Sequence, residues 1–459
     1  MHLRKIQIKN LRVFKEVSMD FASPSAKEAL SNVHLFLGTN GSGKSSLLKA
    51  IALAAVAEVL PSSGLRLYSI VRRTQKKGSS QHDPCEIVAH FDLDKQDIAG
   101  RKAVPQAQSG GVKSRLALLA RSGFNDTFGA IDYPEGLRNE VWNDRSPAAL
   151  VLGYGATRRV DSTTTSQSEN WTGKDRSLRY SRIAGLFEDH LQLLPLSSWL
   201  PRYASKNPGR HSQVVSLVNE LLEDVNVTLL ARAVEGEYLF QMGGAQLPLA
   251  ALSDGYRAYI GWISDMLYHV CMGCPAGVKL VENEGIVLVD EIDLHLHPQW
   301  QRVVIPRLGK VLPKLQFFFT THSPLIAGSL QASNIMVVQM QSVGEGASVI
   351  PCPVDVYGWS SDQILSSQLF DETESRNQEA ITAIEVASAK ARKGDRRAAR
   401  DLMSVLADGL SSPDESKSTG LRPAAKKAVA KTNLANKTAA KKTATKGVIR
   451  KVAVKKTAR

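Results

Sequence analysis

Eight consecutive residues, Gly38-Thr39-Asn40-Gly41-Ser42-Gly43-Lys44-Ser45, have the types and spacing needed to hold a chain of phosphates. Glycines at 38, 41 and 43 let the backbone curl so that successive N–H groups point inward at phosphate oxygens, and a helix starting at the end of the loop adds partial positive charge. Lys44 reaches the terminal phosphates in such an arrangement, and the Ser45 hydroxyl suits a magnesium ion. Gly38, Asn40, Gly41, Ser42, Gly43, Lys44, Ser45 and Ser46 are the candidate contacts.

Three further segments have residues suited to the same chemistry. The apolar run Ile286-Val-Leu-Val289 ends in Asp290 and Glu291, and a buried strand that ends in two carboxylates needs a reason for them. Asp290 could face magnesium through water, and Glu291 could polarise an attacking water. Leu252-Ser-Asp-Gly-Tyr-Arg257 opens a helical pattern in which Ser253 or Asp254 can act as N-cap and Gly255 leaves room for a phosphate. Phe317-Phe-Phe-Thr-Thr321 is another apolar strand, and His322 at its tip could hold or sense a terminal phosphate.

The elements around these segments alternate as an α/β fold requires. Residues 3–21 read as two strands around a turn, and Val33-His-Leu-Phe-Leu37 reads as a buried strand leading through the glycine loop into an apolar helix. Strands are expected at Glu86 to Asp92 and Arg115 to Ala120, two or three short helices over 182–231, and a helix from Asp254 to Met272. A helix near Gln299 to Leu312, a final hairpin and a C-terminal helical segment to about Leu410 complete the pattern. The domain reading is an N-terminal lobe over 1–180, a helical insertion over 181–235, a C-terminal lobe over 236–410, and a disordered tail over 411–459.

In this order the glycine loop, LSDGYR, VLVDEIDLHLHP and TTHSP resemble the Walker A, signature, Walker B and switch-histidine motifs of ABC ATPases. The N-terminal IQIKNLRVFKEVSMDF and the form GTNGSGKSS resemble the RecF, SMC and OLD-like branch rather than transporters. The 182–231 segment is too short to supply SMC coiled coils, and nothing after Pro324 fits a Toprim nuclease. The later part of the chain looks like the stand-alone ATPases of bacterial anti-phage cassettes such as Septu and certain retrons.

The resemblance implies ATP and Mg2+ as cofactors, an α/β head with a parallel core sheet and an antiparallel N-terminal sheet, and Glu291 and His322 as catalytic residues. It also implies that two copies pair head to tail as a homodimer, or within a higher oligomer. Ser253 and Gly255 of one copy would then meet the nucleotide held by Lys44 and Ser45 of the other, and Asp293 and His297 would lie in the loop between the two sites. The expected partner is an HNH-type effector nuclease, and a nuclease activity of the chain's own is not expected. The alternative is a stand-alone repair or recombination ATPase of RecF type. The family's magnesium-touching glutamine has no assigned position here: Gln106 and Gln108 sit in a loop, and VLGYGATRR is the other candidate tract.

Composition bounds these readings. The 459 residues are 43% apolar and 22% charged, with no run long enough for a membrane helix, so no membrane partner is expected. The N-terminus enters a strand pattern without a secretory leader, which points to the cytoplasm. The net charge of +14 is segregated: residues 421–459 hold thirteen Lys and Arg and no acid, leaving +1 for the other 420 residues. That Lys-Ala-Thr tail resembles those of histone-like proteins; it is read as a nucleic-acid contact, with a solubilising linker as the alternative. Cys271 and Cys274 are spaced as half a zinc site or a redox pair, but no second pair completes the set, so ordinary thiols are the other reading.

Overall fold

A computed structural model describes residues 1–369 apart from 25–29, 74–81, 94–96, 98–110, 145, 159–176, 190, 235–236, 342–344 and 368. The C-terminal helical segment, the basic tail, Gln106 and Gln108 therefore lie outside the described residues.

Apolar runs with no polar face form a sheet covered on both sides. Its strands are β3 (Val33–Leu37), β8 (Val151–Tyr154), β12 (Gly285–Val289), β13 (Leu315–Thr321), β14 (Ile335–Met340) and β15 (Ala347–Pro351), in the order β15-β14-β3-β13-β12-β8. From β14 to β8 every pair is parallel, and β15 adds an antiparallel edge hairpin. Parallel strands need long crossovers and cover on both faces, which is why β3, β12 and β13 are buried throughout.

A second sheet is antiparallel and half-buried. It runs β2-β1-β5-β6-β7-β4, from β1 (His2–Leu11), β2 (Phe14–Asp20), β4 (Leu67–Tyr68), β5 (Cys85–Asp92), β6 (Val112–Leu119) and β7 (Asn125–Asp132). Its strands alternate as period two demands: Cys85, Ile87, Ala89 and Phe91 face inward. The outer face is charged, with Lys9 bridging Glu16 at 3.0 Å and Arg115 bridging Glu86 at 3.1 Å.

Between the two sheets lies α1 (Lys44–Ala55), with ten of its twelve residues buried. It packs with Phe36, Ile286, Leu288 and Phe318 from one face of the parallel sheet. The opposite face, with Leu35, Val287 and Phe317, packs against α4 (Leu196–Lys206), α5 (Pro208–Leu222) and α6 (Asp254–Gly273). The shorter helices α2 (Glu135–Trp142) and α3 (Leu178–Ser181) precede these. A small sheet, β11-β10-β9, completes the helical side with β9 (Thr228–Val234), β10 (Glu237–Met242) and β11 (Ala245–Pro248).

The helix expected near Gln299 to Leu312 is in fact two, α7 (Pro298–Gln301) and α8 (Val304–Val311). A continuous helix would put Pro306 in its interior, where the ring clashes and a backbone donor is missing; restarting at Val304 leaves Pro306 in the first turn. The last two short helices are α9 (Pro324–Ala327) and α10 (Ser361–Leu365).

Close packing of β8 on the 178–187 segment depends on a residue with no side chain. A Cβ on Gly155 would lie 2.2 Å from the Gly185 carbonyl oxygen, whereas one on Gly209, in the first turn of α5, would meet nothing within 4 Å. Gly155→Ala is therefore expected to lose about 1–3 kcal/mol of stability and Gly209→Ala to gain about 0.4–1 kcal/mol. Urea unfolding of the two variants checks both signs.

Candidate functional site

The parallel strands all point the same way, so their carboxyl ends bring four loops to one edge. These loops follow β3 (Gly38–Gly43), β13 (His322), β12 (Asp290 and Glu291) and β8 (Gly155 onward). This is the edge where open α/β sheets place their ligands.

The glycine loop turns back on itself through left-handed backbone at Gly41 (φ 79°) and Gly43 (φ 106°). A side chain at Gly43 would also strike Phe14 and Val13, each 2.6 Å from a Cβ built there. With the loop so curled, Lys44 Nζ donates to the carbonyls of Gly38 (2.8 Å) and Thr39 (2.9 Å) and lies 3.4 Å from His322 Nδ1. Burial pushes the Lys44 ammonium down to about 8, and Asp290, Glu291 and Asp293 oppose that shift. Burial and the neighbouring Lys44 charge hold His322 below its usual value.

Asp290 is buried and accepts hydrogen bonds at one oxygen, Oδ1, from Ser45 Oγ at 3.0 Å and Thr320 Oγ1 at 2.5 Å. Thr320 in turn accepts from the Glu291 N–H at 2.7 Å. Glu291 has left-handed backbone, with φ 47°, and joins Asn40, Gly41, Gly43, Lys44, Ser45, Ser46 and His322 around an open cavity of about 200 Å3. Ser42 is fully buried behind it.

Three residues the sequence reading did not single out complete the site. Arg158, nearly buried, donates to the carbonyls of Gly155 (3.0 Å), Asp290 (2.5 Å) and Glu291 (2.8 Å) and so holds the acidic turn from behind. Its only signal was position, in the tract VLGYGATRR. Thr320 reads as an ordinary strand residue, yet it bridges Asp290 and Glu291. Arg12, in the β1–β2 turn, lines the cavity and donates from Nε to Ser69 O at 3.1 Å.

The remaining candidates lie elsewhere within the chain. Ser253 is the N-cap of α6 but makes no side-chain cap bond, so its hydroxyl is exposed. With Gly255, His295, His297 and Trp300 it lines a separate cavity of about 600 Å3. Asp293 accepts from Thr321 Oγ1 at 2.6 Å. Cys271 and Cys274 are free thiols, Cys271 pushed up to about 12 by burial, and among the described residues no group of three or more His, Cys, Asp or Glu is placed to hold a metal. Among these residues, too, no helix is long and apolar enough to cross a membrane.

The donor set at the loop fits a magnesium nucleotide. Inward N–H groups and Lys44 suit phosphate oxygens, and a serine hydroxyl facing a carboxylate at 3.0 Å is the oxygen-rich pair a hard cation prefers. Fold and site together define a P-loop nucleotide-binding protein with an added antiparallel sheet. The chain belongs to the family described as "AAA domain, putative AbiEii toxin, Type IV TA system", which it matches over residues 33–328.

Among curated proteins it is similar to the Septu protein PtuA of Bacillus mycoides (strain KBAB4), 26% identical over 80% of this chain and 44% of that protein. It is also similar to the Retron Ec83 probable ATPase of Escherichia coli, 34% identical over 34% of this chain and 28% of that protein. The chain thus spans less than half the length of these relatives. Among solved structures, an SMC head bound to the C-winged helix domain of ScpA shares 14% identity at a TM-score of 0.45, covering 76% of this chain and 97% of that one.

Arg158→Met should leave three carbonyls without their donor, each costing about 1–3 kcal/mol where water cannot replace it. The expected result is a stability loss of at least that size in urea unfolding, and an unchanged midpoint would show that the clamp is dispensable.

Proposed function

We propose that this chain is an ATPase that works as a nucleotide-gated, DNA-associated switch in bacterial anti-phage defence. The observation that carries the reading is the meeting of Lys44, the Ser45–Asp290 pair, Glu291 and His322 around one phosphate-sized cavity. Similarity to Septu PtuA and to a retron ATPase supports the defence setting.

In this reading Lys44 leaves the Gly38 and Thr39 carbonyls for the terminal phosphates of ATP. Ser45 and Asp290 would hold Mg2+, which supplies charge neutralisation on the phosphates. Glu291 accepts a proton from the attacking water as its oxygen bonds to the γ-phosphorus and the bond to the β–γ bridging oxygen breaks, giving ADP and phosphate. Burial and the Lys44 charge lower the His322 pKa, and at the strand tip the ring is placed as a hydrogen-bond partner to the γ-phosphate.

Ser253 and Gly255 are exposed or half-exposed at the start of a twenty-residue helix whose first N–H groups are free. A nucleotide held by a second copy would satisfy those donors, which makes the active form a homodimer or larger. An HNH-type nuclease is the proposed effector, and the basic tail 421–459 is the proposed contact to nucleic acid.

Glu291→Gln should retain ATP binding and lose hydrolysis. Light scattering after size-exclusion chromatography is expected to show an ATP- and magnesium-dependent rise in mass, or a tighter dimer; binding without any change in assembly or shape sinks the composite site. Lys44 adds a pH test. Its charged form is disfavoured by burial, so raising pH from about 8 toward the usual 10.5 relieves the folded chain while removing the charge that ATP needs. ATP affinity of the Glu291→Gln variant should therefore fall above pH 8, by about tenfold per unit at the limit; titration calorimetry at several pH values reads it.

A further inference from the structure

Among the described residues, three arginines are almost completely buried on the β8 side: Arg158, Arg179 and Arg182. Arg158 is held by three carbonyls, as described above. Arg179 donates to the carbonyls of Ala149, Glu140, Asn143 and Ser146. Arg182 differs: it is 4% exposed, and both its Nε and its Nη1 are buried without a hydrogen-bond partner. A dry guanidinium with unpaired donors is costly by itself, so it asks for an anion.

A cavity of about 390 Å3 lies against it, lined by Asp144, Leu178, Arg182, Tyr268, His269 and Met272. His269 adds a second orphan, since its Nδ1 is buried without a partner. Burial and the Arg182 charge push the His269 ring down to about 3, so it is neutral and can offer one hydrogen bond. Half-buried Tyr268 presents an aromatic wall, and Met272 is 46% exposed at the rim. Asp144, the one carboxylate among the described residues of the wall, is exposed, and Arg182 Nε and Nη1 remain unpaired beside it.

We infer that this cavity is a second anion site, for a phosphate group of mononucleotide size, held by Arg182 and His269 and coupled to the turn that carries Glu291. The coupling runs through β8. Arg182 O accepts from Gly153 N at 2.8 Å, which joins the arginine segment to β8, and β8 runs on into the Arg158 clamp. β8 also meets the turn directly, since Tyr154 O accepts from Asp290 N at 2.8 Å. An anion that draws Arg182 into the cavity therefore acts through β8 on the Asp290–Glu291 turn.

Binding at the site stands apart from the ATPase reading, and only the coupling rests on it. The test uses the full chain carrying Lys44→Ala, which weakens the glycine-loop site, with inorganic phosphate and AMP as probes in titration calorimetry. Binding is expected, and it should weaken by about tenfold or more on Arg182→Met, the scale of a lost charge-assisted hydrogen bond. Met272→Glu, a change at the exposed rim that spares the core, should weaken it too by repulsion. AMP binding tighter than phosphate, with the difference lost in Tyr268→Ala, identifies a nucleotide; equal affinities identify free phosphate.

No binding of either probe, or binding indifferent to both Arg182→Met and Met272→Glu, overturns the site, because the basic tail is common to all variants. With the wild-type loop, saturating probe should change ATP turnover by about fivefold or more. Binding with an unchanged turnover overturns the coupling and leaves the question of hydrolysis to the Glu291→Gln variant.

Discussion

A carboxylate at the end of a dry strand is the constraint on which the rest of this molecule turns. Asp290 follows five buried residues, and its carboxylate is tolerable there because Ser45 and Thr320 both donate to it. Those two hydroxyls come from the glycine-loop helix and from the neighbouring strand. One buried charge thus ties α1, β12 and β13 into a fixed relation, and that relation brings the phosphate loop, the acidic pair and His322 to a common cavity.

The same constraint reaches the opposite side of the turn. Glu291 must leave the strand through left-handed backbone, which a residue with a side chain resists, and Arg158 holds that geometry by gripping the carbonyls before and after it. Arg158 comes from the loop after β8, so the edge strand of the sheet has a chemical task as well as a packing one. Gly153 and Gly155 let the 178–187 segment lie directly on β8, placing Arg182 one backbone hydrogen bond from the clamp. The turn around Glu291 is thereby open to influence from outside its own cavity.

Legibility varied with the range of the interaction. The glycine loop, the strand before it, the helix after it and the hairpin at the N-terminus are local patterns, and they appear where the periodicities put them. The break between α7 and α8 was written in Pro306, though a long apolar pattern hid it. The β9–β11 sheet was not legible: β9 begins at Thr228, inside the stretch read as helical, β10 and β11 carry polar residues, and the strands pack on α4 and α5. Thr320 and Arg158 were invisible for the same reason, since neither type nor spacing says that a strand threonine or a loop arginine will meet a turn far away in sequence.

What the sequence determined by itself is the chemistry available: a phosphate loop, an acidic strand end, a helix start open to an anion and a histidine at a strand tip. Each is a short-range arrangement whose residues are neighbours in the chain, so their types and spacing suffice. Only the tertiary structure decided which of them share a cavity. Parallel pairing of β3, β13 and β12 brought Lys44, His322, Asp290 and Glu291 to one edge and left Ser253 and Gly255 on another cavity. It also left Nε and Nη1 of Arg182 buried without an acceptor. Such outcomes depend on which strands pair and which side chains lose water together, quantities that exist only once the chain has folded.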